Sequence, residues 1–389
     1  MFTMNHVRYL AETIGPRGST TQKEKAAAQY ASQVLEQAGF RPVTETFESG
    51  CSSYSPYALF SGIFLLGVFL FWIGGRWGAV AALLLSVFAI ASVLLELTFR
   101  ANPFRWLLPK GKSQNVWARI EPQDVSREQI VLLGHLDTNR TPLLFSSAGW
   151  VKFMGIIIPL GLGSALLLTV FFIIGSIAPK PLWLYISLPF ALVLLVLLSL
   201  MLQANLSPFS PGANDNATGA AAVLSVAEKL TKEPLKHTAV WTVLTGCEEV
   251  GCYGAEFFAQ MHKKELGKPV WIPLEYLGGI AADPAYILSE TFLLKSPSDP
   301  DLIKLADQIA DQQPELKIHS LHWGGAYTDG AIGAKHGFRI LTIASLRRDG
   351  SFPEWHRLTD TVENVDVEVL DRSQKFLWML LQEIDKDTG

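Results

Sequence analysis

Histidine and carboxylate side chains gather in five short segments of this chain, each placed where a strand would end or a helix begin. These are Gly134-His135-Leu136-Asp137, Gly212 through Ala217 around Asp215, Gly246-Cys247-Glu248-Glu249, Glu275 after an apolar run, and Trp355-His356-Arg357. Imidazole and carboxylate together are the donor set of hydrolytic zinc, which keeps one position open for water. Two such ions about 3.5–4 Å apart need one carboxylate that bridges them, and together they hold the attacking and leaving groups. A further carboxylate, bound to no metal, must take the proton from the attacking water. The adjacent Glu248 and Glu249 can divide the duties of base and ligand between them. Asp137 stands two residues from His135, so on a strand the two side chains share a face. Its carboxylate is then placed to accept the second imidazole N–H.

Each of these residues also has a plainer reading. Asp215 can be a helix cap, Glu248 and Glu249 a solvated pair, and a lone strand-end histidine is usually structural. Their convergence on strand ends favours a metal centre, because ligands in α/β folds collect beyond the carboxyl ends of the strands. Cys247 reads as a small buried side chain, and its spacing to Cys252 suits neither a zinc finger nor a redox pair.

The elements that must position these groups alternate in type. Residues 42–48, 114–120, 129–134, 237–245, 270–274, 285–288 and 339–344 read as strands, being short, apolar or β-branched, and bounded by polar residues. Residues 20–35, 217–230, 302–309 and 369–384 carry apolar side chains at helical spacing. This alternation predicts an α/β fold, a mostly parallel or mixed sheet flanked by helices.

Interleaved with them are four uncharged apolar runs, 58–75, 78–95, 153–179 and 181–206, paired across Arg76-Trp77 and across Lys180. About 20 apolar residues span a bilayer core, so the runs predict two inserted transmembrane helical hairpins, four helices in all. Tyr57, Trp72, Trp77, Trp150, Trp183 and Tyr185 stand near their ends, as an aromatic belt would. Residues 1–56, 98–150 and 207–389 then form one discontinuous catalytic domain, with 57–97 and 151–206 as the hairpins. Arg100, Arg105, Lys110, Lys112 and Lys152 flank the spans on the domain side, against Arg76 and Lys180 at the tips. That asymmetry, with no signal-peptide pattern at the start, predicts a multi-pass protein whose catalytic domain faces the cytoplasm. Of the 389 residues 49% are hydrophobic and 17% charged, which fits a mosaic of polar and lipid-facing stretches. A net charge of −4 without a basic run gives no reason to expect nucleic acid, and three cysteines are too few for a disulfide framework.

The chain resembles the M28 family of co-catalytic zinc peptidases, which includes bacterial aminopeptidases. The resemblance rests on Val131 through Asp137, Gly212-Ala213-Asn214-Asp215-Asn216-Ala217-Thr218-Gly219, Glu248-Glu249 with Gly254-Ala255-Glu256, Thr328-Asp329-Gly330, and His356 through Asp366. The opening Val7 through Gly15 is similar as well. It implies two zinc ions, other divalent metals being possible. His135, Asp215 and Glu275 would hold one and Asp215, Glu249 and His356 the other, with Asp215 bridging and Glu248 as general base. Glu275 departs from the family, which usually carries Asp there, and so do the hairpins. The implied protein is a membrane-embedded aminopeptidase-like enzyme acting on short or membrane-associated peptides, with peptide and lipid bilayer as its partners. Alternatives are a glutaminyl-cyclase-like enzyme and a catalytically inactive receptor or scaffold.

Overall fold

The computed structural model describes residues 2–291 and 293–387. The chain divides into two compact units. One comprises Met1–Cys51, Gly111–Asn139 and Phe209–Gly389, the other Ser52–Lys110 and Arg140–Pro208.

The first unit holds a ten-stranded mixed sheet. Its strands are β1 (Val43–Gly50), β2 (Lys110–Ile120), β3 (Glu128–His135), β4 (Thr238–Thr245), β5 (Val270–Glu275), β6 (Asp283–Thr291), β7 (Lys295–Pro297), β8 (His319–Gly324), β9 (Arg339–Ile340) and β10 (Ile343–Leu346). They lie in the order β1-β2-β4-β3-β5-β10-β6-β7, with β8 beside β6 and β9 beside β5. Strand β3 runs parallel to both neighbours, β4 and β5. A strand covered on both faces reads as a continuous apolar run, and Ile130, Val131, Leu132 and Leu133 are all fully buried. Because β4, β3 and β5 are parallel and adjacent, their carboxyl ends deliver His135, the Gly246–Glu249 turn and Glu275 to one edge of the sheet.

The helices flank the sheet much as the periodicity predicts. The helix expected from residue 20 runs Gln22–Gln37, because the Thr21 hydroxyl caps it by accepting the Glu24 N–H. The strand expected over 339–344 is two short ones. Between them Leu341 still donates its N–H to the Trp271 carbonyl and the Thr342 carbonyl accepts from Ile287, while the Thr342 hydroxyl donates to Glu290 at 2.6 Å. Helix Gly219–Leu230 lies so close to β3 that a Cβ on Gly134 would sit 2.8 Å from the Ala220 nitrogen and from the Gly219 carbonyl carbon. Backbone cannot yield as a side-chain tip does, so Gly134→Ala should lower stability by about 1–3 kcal/mol. Urea unfolding measures this, and an unchanged midpoint would mean the helix can retreat at no cost.

The second unit is helical. Ser55–Glu96 is broken at Gly75, whose φ of 51° and ψ of −125° interrupt the helix. A Cβ on Gly78 would collide with the carbonyl of Leu70, so the chain folds back where glycine allows the approach. With Ala148–Ile177 and Pro181–Leu206 it buries Phe64, Phe71, Leu168, Phe172 and Leu194 in a core of its own. Among the described residues, then, the four predicted apolar helices are all present, the first two meeting at the break at Gly75. The segments Ser55–Glu96, Ala148–Ile177 and Pro181–Leu206 are long and apolar enough to cross a membrane by length and composition. Those two properties state how much surface a helix can bury and not what buries it; here part of that surface is covered by neighbouring helices.

Candidate metal centre

Two buried clusters meet at Asp215. His135 Nε2 lies 3.3 Å from Asp215 Oδ1 and 3.3 Å from Glu275 Oε2. His356 Nε2 lies 3.4 Å from Asp215 Oδ2 and 3.2 Å from Glu249 Oε2. Zinc bonds of about 2.0–2.2 Å in a tetrahedron put neighbouring ligand atoms about 3.3–3.6 Å apart. Both triads, His135–Asp215–Glu275 and Asp215–Glu249–His356, therefore suit a divalent ion of the zinc type. Asp215 offers one oxygen to each. Of the expected site residues, His135, Asp215, Glu249, Glu275 and His356 all come together here, and Glu248 stands beside them with Oε2 4.0 Å from His135 Nε2.

The scaffold behind these groups is mostly backbone hydrogen bonding. The loop that carries Asp215 turns at Gly212, with φ of 63°. Its N–H groups at Asn214 and Asp215 donate to the Asp360 carboxylate at 2.7 and 3.0 Å. Asn216 donates to Glu275 Oε2 at 2.9 Å and to the Leu274 carbonyl at 2.8 Å, which joins the loop to the end of β5. Arg17 is wholly buried and donates to five carbonyls, those of Leu10, Gly15, Leu136, Pro211 and Gly212. It thereby ties the opening helix to the chain around His135 and to the loop before Asp215.

Asp137 acts differently from expectation. Its carboxylate is 3.6 Å from His135 Nδ1, and the imidazole N–H instead meets the Asp137 backbone carbonyl at 3.0 Å. The carboxylate is already taken by stronger geometry. Oδ1 accepts the Glu248 N–H at 3.0 Å, and Oδ2 accepts the Glu249 N–H at 3.1 Å and the Ser19 hydroxyl at 2.6 Å. Asp137 thus orients the Glu248–Glu249 turn, and the carbonyl sets the histidine tautomer that leaves Nε2 free. Arg17, Asn139 and Asp360 were not singled out by residue type, since an arginine in a turn or an aspartate in a loop carries no such signal. A third buried group joins Glu248 to Cys252 and Asp329, and the Cys252 thiol donates to Glu248 Oε1 at 3.5 Å.

So many buried carboxyls oppose one another's ionisation. Burial pushes Glu275 up to about 7 and Asp329 up to about 6, in each case against the favourable charge of His135. Glu248 and Glu249 are driven well above the usual carboxylate range, by burial first and then by neighbouring carboxylates. Burial also lowers His356 to about 4. Asp215 goes the other way. Burial opposes its charge, but the His135 hydrogen bond and the charges of His356, His135 and Arg17 outweigh it and hold its carboxyl low. Without metal, the native state keeps protons on Glu275 and Asp329 that the unfolded chain loses near 4.5 and 3.8. Stability of the metal-free protein should therefore fall as pH rises from about 4 through about 7. Metal replaces those protons, so the gap in Tm between zinc-loaded and chelator-stripped protein should widen from about pH 5 to about pH 7.5. A gap that narrows over that range would contradict this account of the cluster.

A sequence model of peptidase family M28 matches residues 200–381, and no curated protein sequence matches the chain. Among solved structures, a zinc aminopeptidase from Bacillus subtilis is similar at 13% identity, with a TM-score of 0.59 over 98% of this chain and 94% of its own. A glutaminyl cyclase from Porphyromonas gingivalis is similar at 14% identity, with a TM-score of 0.60 over 98% and 97%. A leucine aminopeptidase precursor from Bacteroides thetaiotaomicron is similar at 14% identity, with a TM-score of 0.56 over 98% and 96%. At these identities the likeness shows the fold, a mixed α/β sheet flanked by helices of the M28-peptidase kind. It extends over nearly the whole chain, and none of these enzymes is described as a membrane protein. The expectations of a membrane-embedded variant, of transmembrane hairpins, of a bilayer partner and membrane-associated substrates, and of a multi-pass protein with a cytoplasmic domain are corrected accordingly. What remains is carried by the family match and the paired clusters together: the chain is a zinc-dependent, peptidase-like enzyme.

Proposed function

We propose that this enzyme is a two-zinc peptidase that hydrolyses peptide bonds, acting as an aminopeptidase on short peptides, and that the discontinuous sheet unit is its catalytic domain. The observation that carries the reading is the division of the Asp215 oxygens, Oδ1 toward His135 and Oδ2 toward His356, which is what a bridging carboxylate requires. His135, Asp215 and Glu275 would hold one ion, and Asp215, Glu249 and His356 the other. Bound zinc would supply Lewis acidity toward the scissile carbonyl and the attacking water. The remaining work belongs to the chain. Glu248, outside both triads, accepts the water's proton and returns it to the departing amine, and burial raises its affinity for that proton. Asp137 fixes the backbone from which Glu248 projects. Glu275 reaches its triad on a longer arm than the aspartate usual in the resembled family, and Asn216 steadies that arm.

The test is hydrolysis of short peptides, with free and with acetylated N-termini, by protein of measured zinc content. Zinc-dependent release of the first residue from the free peptides alone supports the reading. Fully loaded protein that releases no amino acid would refute it. Cyclisation of N-terminal glutamine in its place would move the assignment to the cyclase chemistry of the Porphyromonas gingivalis enzyme, which shares the fold.

A further inference from the structure

We propose that Cys252 is a positioning residue for the general base, its S–H holding one oxygen of Glu248 while the other faces the metal centre; this rests on the peptidase reading of Glu248. The two oxygens of that carboxylate have different neighbours. Oε2 stands 4.0 Å from His135 Nε2, on the side of the paired triads. Oε1 accepts from Cys252 Sγ at 3.5 Å. Among the described residues no other hydrogen bond reaches the Glu248 side chain. The carboxylates of the triads are secured differently, Glu275 by Asn216 and Glu249 by Asn139, and each has an ion to bind as well. Glu248 belongs to neither triad, so no ion fixes its torsions. The thiol is what remains to do so.

The turn after β4 brings the cysteine to that oxygen. The Glu248 carbonyl accepts the N–H groups of Gly251 at 2.9 Å and of Cys252 at 2.8 Å, and the Gly254 N–H returns to the Gly246 carbonyl at 3.0 Å. Cys252 ends this closed turn with φ of 53° and ψ of 35°, directly before helix Tyr253–Leu266. Its side chain is wholly buried. The thiol has a second carboxyl beside it. Asp329 shares the third buried group with Glu248 and Cys252; its Oδ2 accepts the Thr245 hydroxyl at 2.8 Å, and its Oδ1 has no donor. A thiol carries one hydrogen, and here Glu248 receives it. Burial first, and then the charges of Glu248 and Asp329, push the thiol well above its usual range, so sulfur keeps the proton it donates. An S–H bond of this kind is weak, and its value is geometric. Catalytic groups must be held to within about 0.5 Å of the productive place, and a misplacement of about 1 Å can cost about 10²-fold.

The competing role is that of a small side chain that only fills space beneath the turn. The zinc-loaded full chain is compared with its Cys252→Ala, Cys252→Ser and Glu248→Gln variants for kcat, KM, zinc content and the infrared S–H stretch. The expected result for Cys252→Ala is a kcat about tenfold lower, with KM and both zinc ions as in the parent. Cys252→Ser should fall between the two, because its hydroxyl restores a donor. Parental kcat in Cys252→Ala, or equal losses in the two variants, would overturn the proposal. So would loss of zinc from Cys252→Ala, the result expected if the thiol only supports the turn. The S–H band should also move to higher frequency in Glu248→Gln, where a neutral amide replaces the carboxylate acceptor. A band that stays in place would leave the proton with Asp329 or with no acceptor, and would overturn the proposal. That comparison uses no cysteine variant, so it decides the matter even if Cys252→Ala and Cys252→Ser fail to fold. A loaded parent that cleaves no peptide would remove the peptidase reading and the proposal with it. In a parent that does cleave, the adverse results remove the proposal alone.

Discussion

Glu248→Gln is expected to abolish turnover while both zinc ions stay bound. The side chain belongs to neither triad, and glutamine matches its size, so the ligands should keep their places. What is lost is the acceptor for the water's proton, and loss of a general base commonly costs about 10²–10⁴-fold. The loss should fall on kcat, since Glu248 acts on the reacting water and not on the bound peptide. The same variant should stabilise the metal-free protein, because ionising this carboxyl is opposed by burial and by Glu275, Glu249 and Asp329. A gain in stability with a loss of turnover is the trade expected of a residue kept for chemistry. Metal analysis and steady-state kinetics on one preparation check it. Near-parental kcat would remove Glu248 from the base's role, and loss of a zinc ion would make it a ligand.

Asp215→Ala should fail in the opposite sense, losing metal and activity together. One carboxylate faces both histidines, so its removal takes a donor from each triad at once. Partners that merely orient a ligand are worth about 10–100-fold in metal affinity, and a shared ligand should cost more than that at both positions. The ordering of Asn214 by Asp360 and the Arg17 contact to Gly212 use none of the Asp215 side chain, so the peptide fold around it should survive the change. Equilibrium dialysis against zinc is the measurement. Two ions retained with near-parental affinity would show that Asp215 does not bridge, and loss of a single ion would assign it to one triad only.

These two variants separate residues that look alike on paper. Glu248, Glu249, Glu275 and Asp215 are all buried carboxylates at strand ends or a helix start. Only their distances to His135 and His356 divide ligand from base.

Much of the fold was legible in the chain. The apolar run at 129–134 announces a strand covered on both faces, and β3 is that strand because no charged side chain could be buried there unpaired. The types and order of His135, Asp215, Glu248, Glu249, Glu275 and His356 were likewise enough to name hydrolytic metal chemistry, since few other tasks need that donor set. Which of them touch was not legible. His135 and His356 are separated by most of the chain; His135 ends β3, and the segment of His356 reaches the Asp215 loop because Asp360 accepts the Asn214 and Asp215 N–H groups. The two-residue spacing of His135 and Asp137 placed both on one face, yet three donors from other segments claim the Asp137 carboxylate, and the imidazole takes the backbone carbonyl. Arg17 and Asn139 carry no local pattern at all, because their partners are atoms that only tertiary packing brings within reach. The apolar helices mark the same boundary. Composition along the chain determined that Ser55–Glu96, Ala148–Ile177 and Pro181–Leu206 would be helical and would bury surface. How far Phe71, Phe172 and Leu194 bury it against one another was decided by packing, because a side chain's hydrophobicity is local while its neighbours are set by the fold.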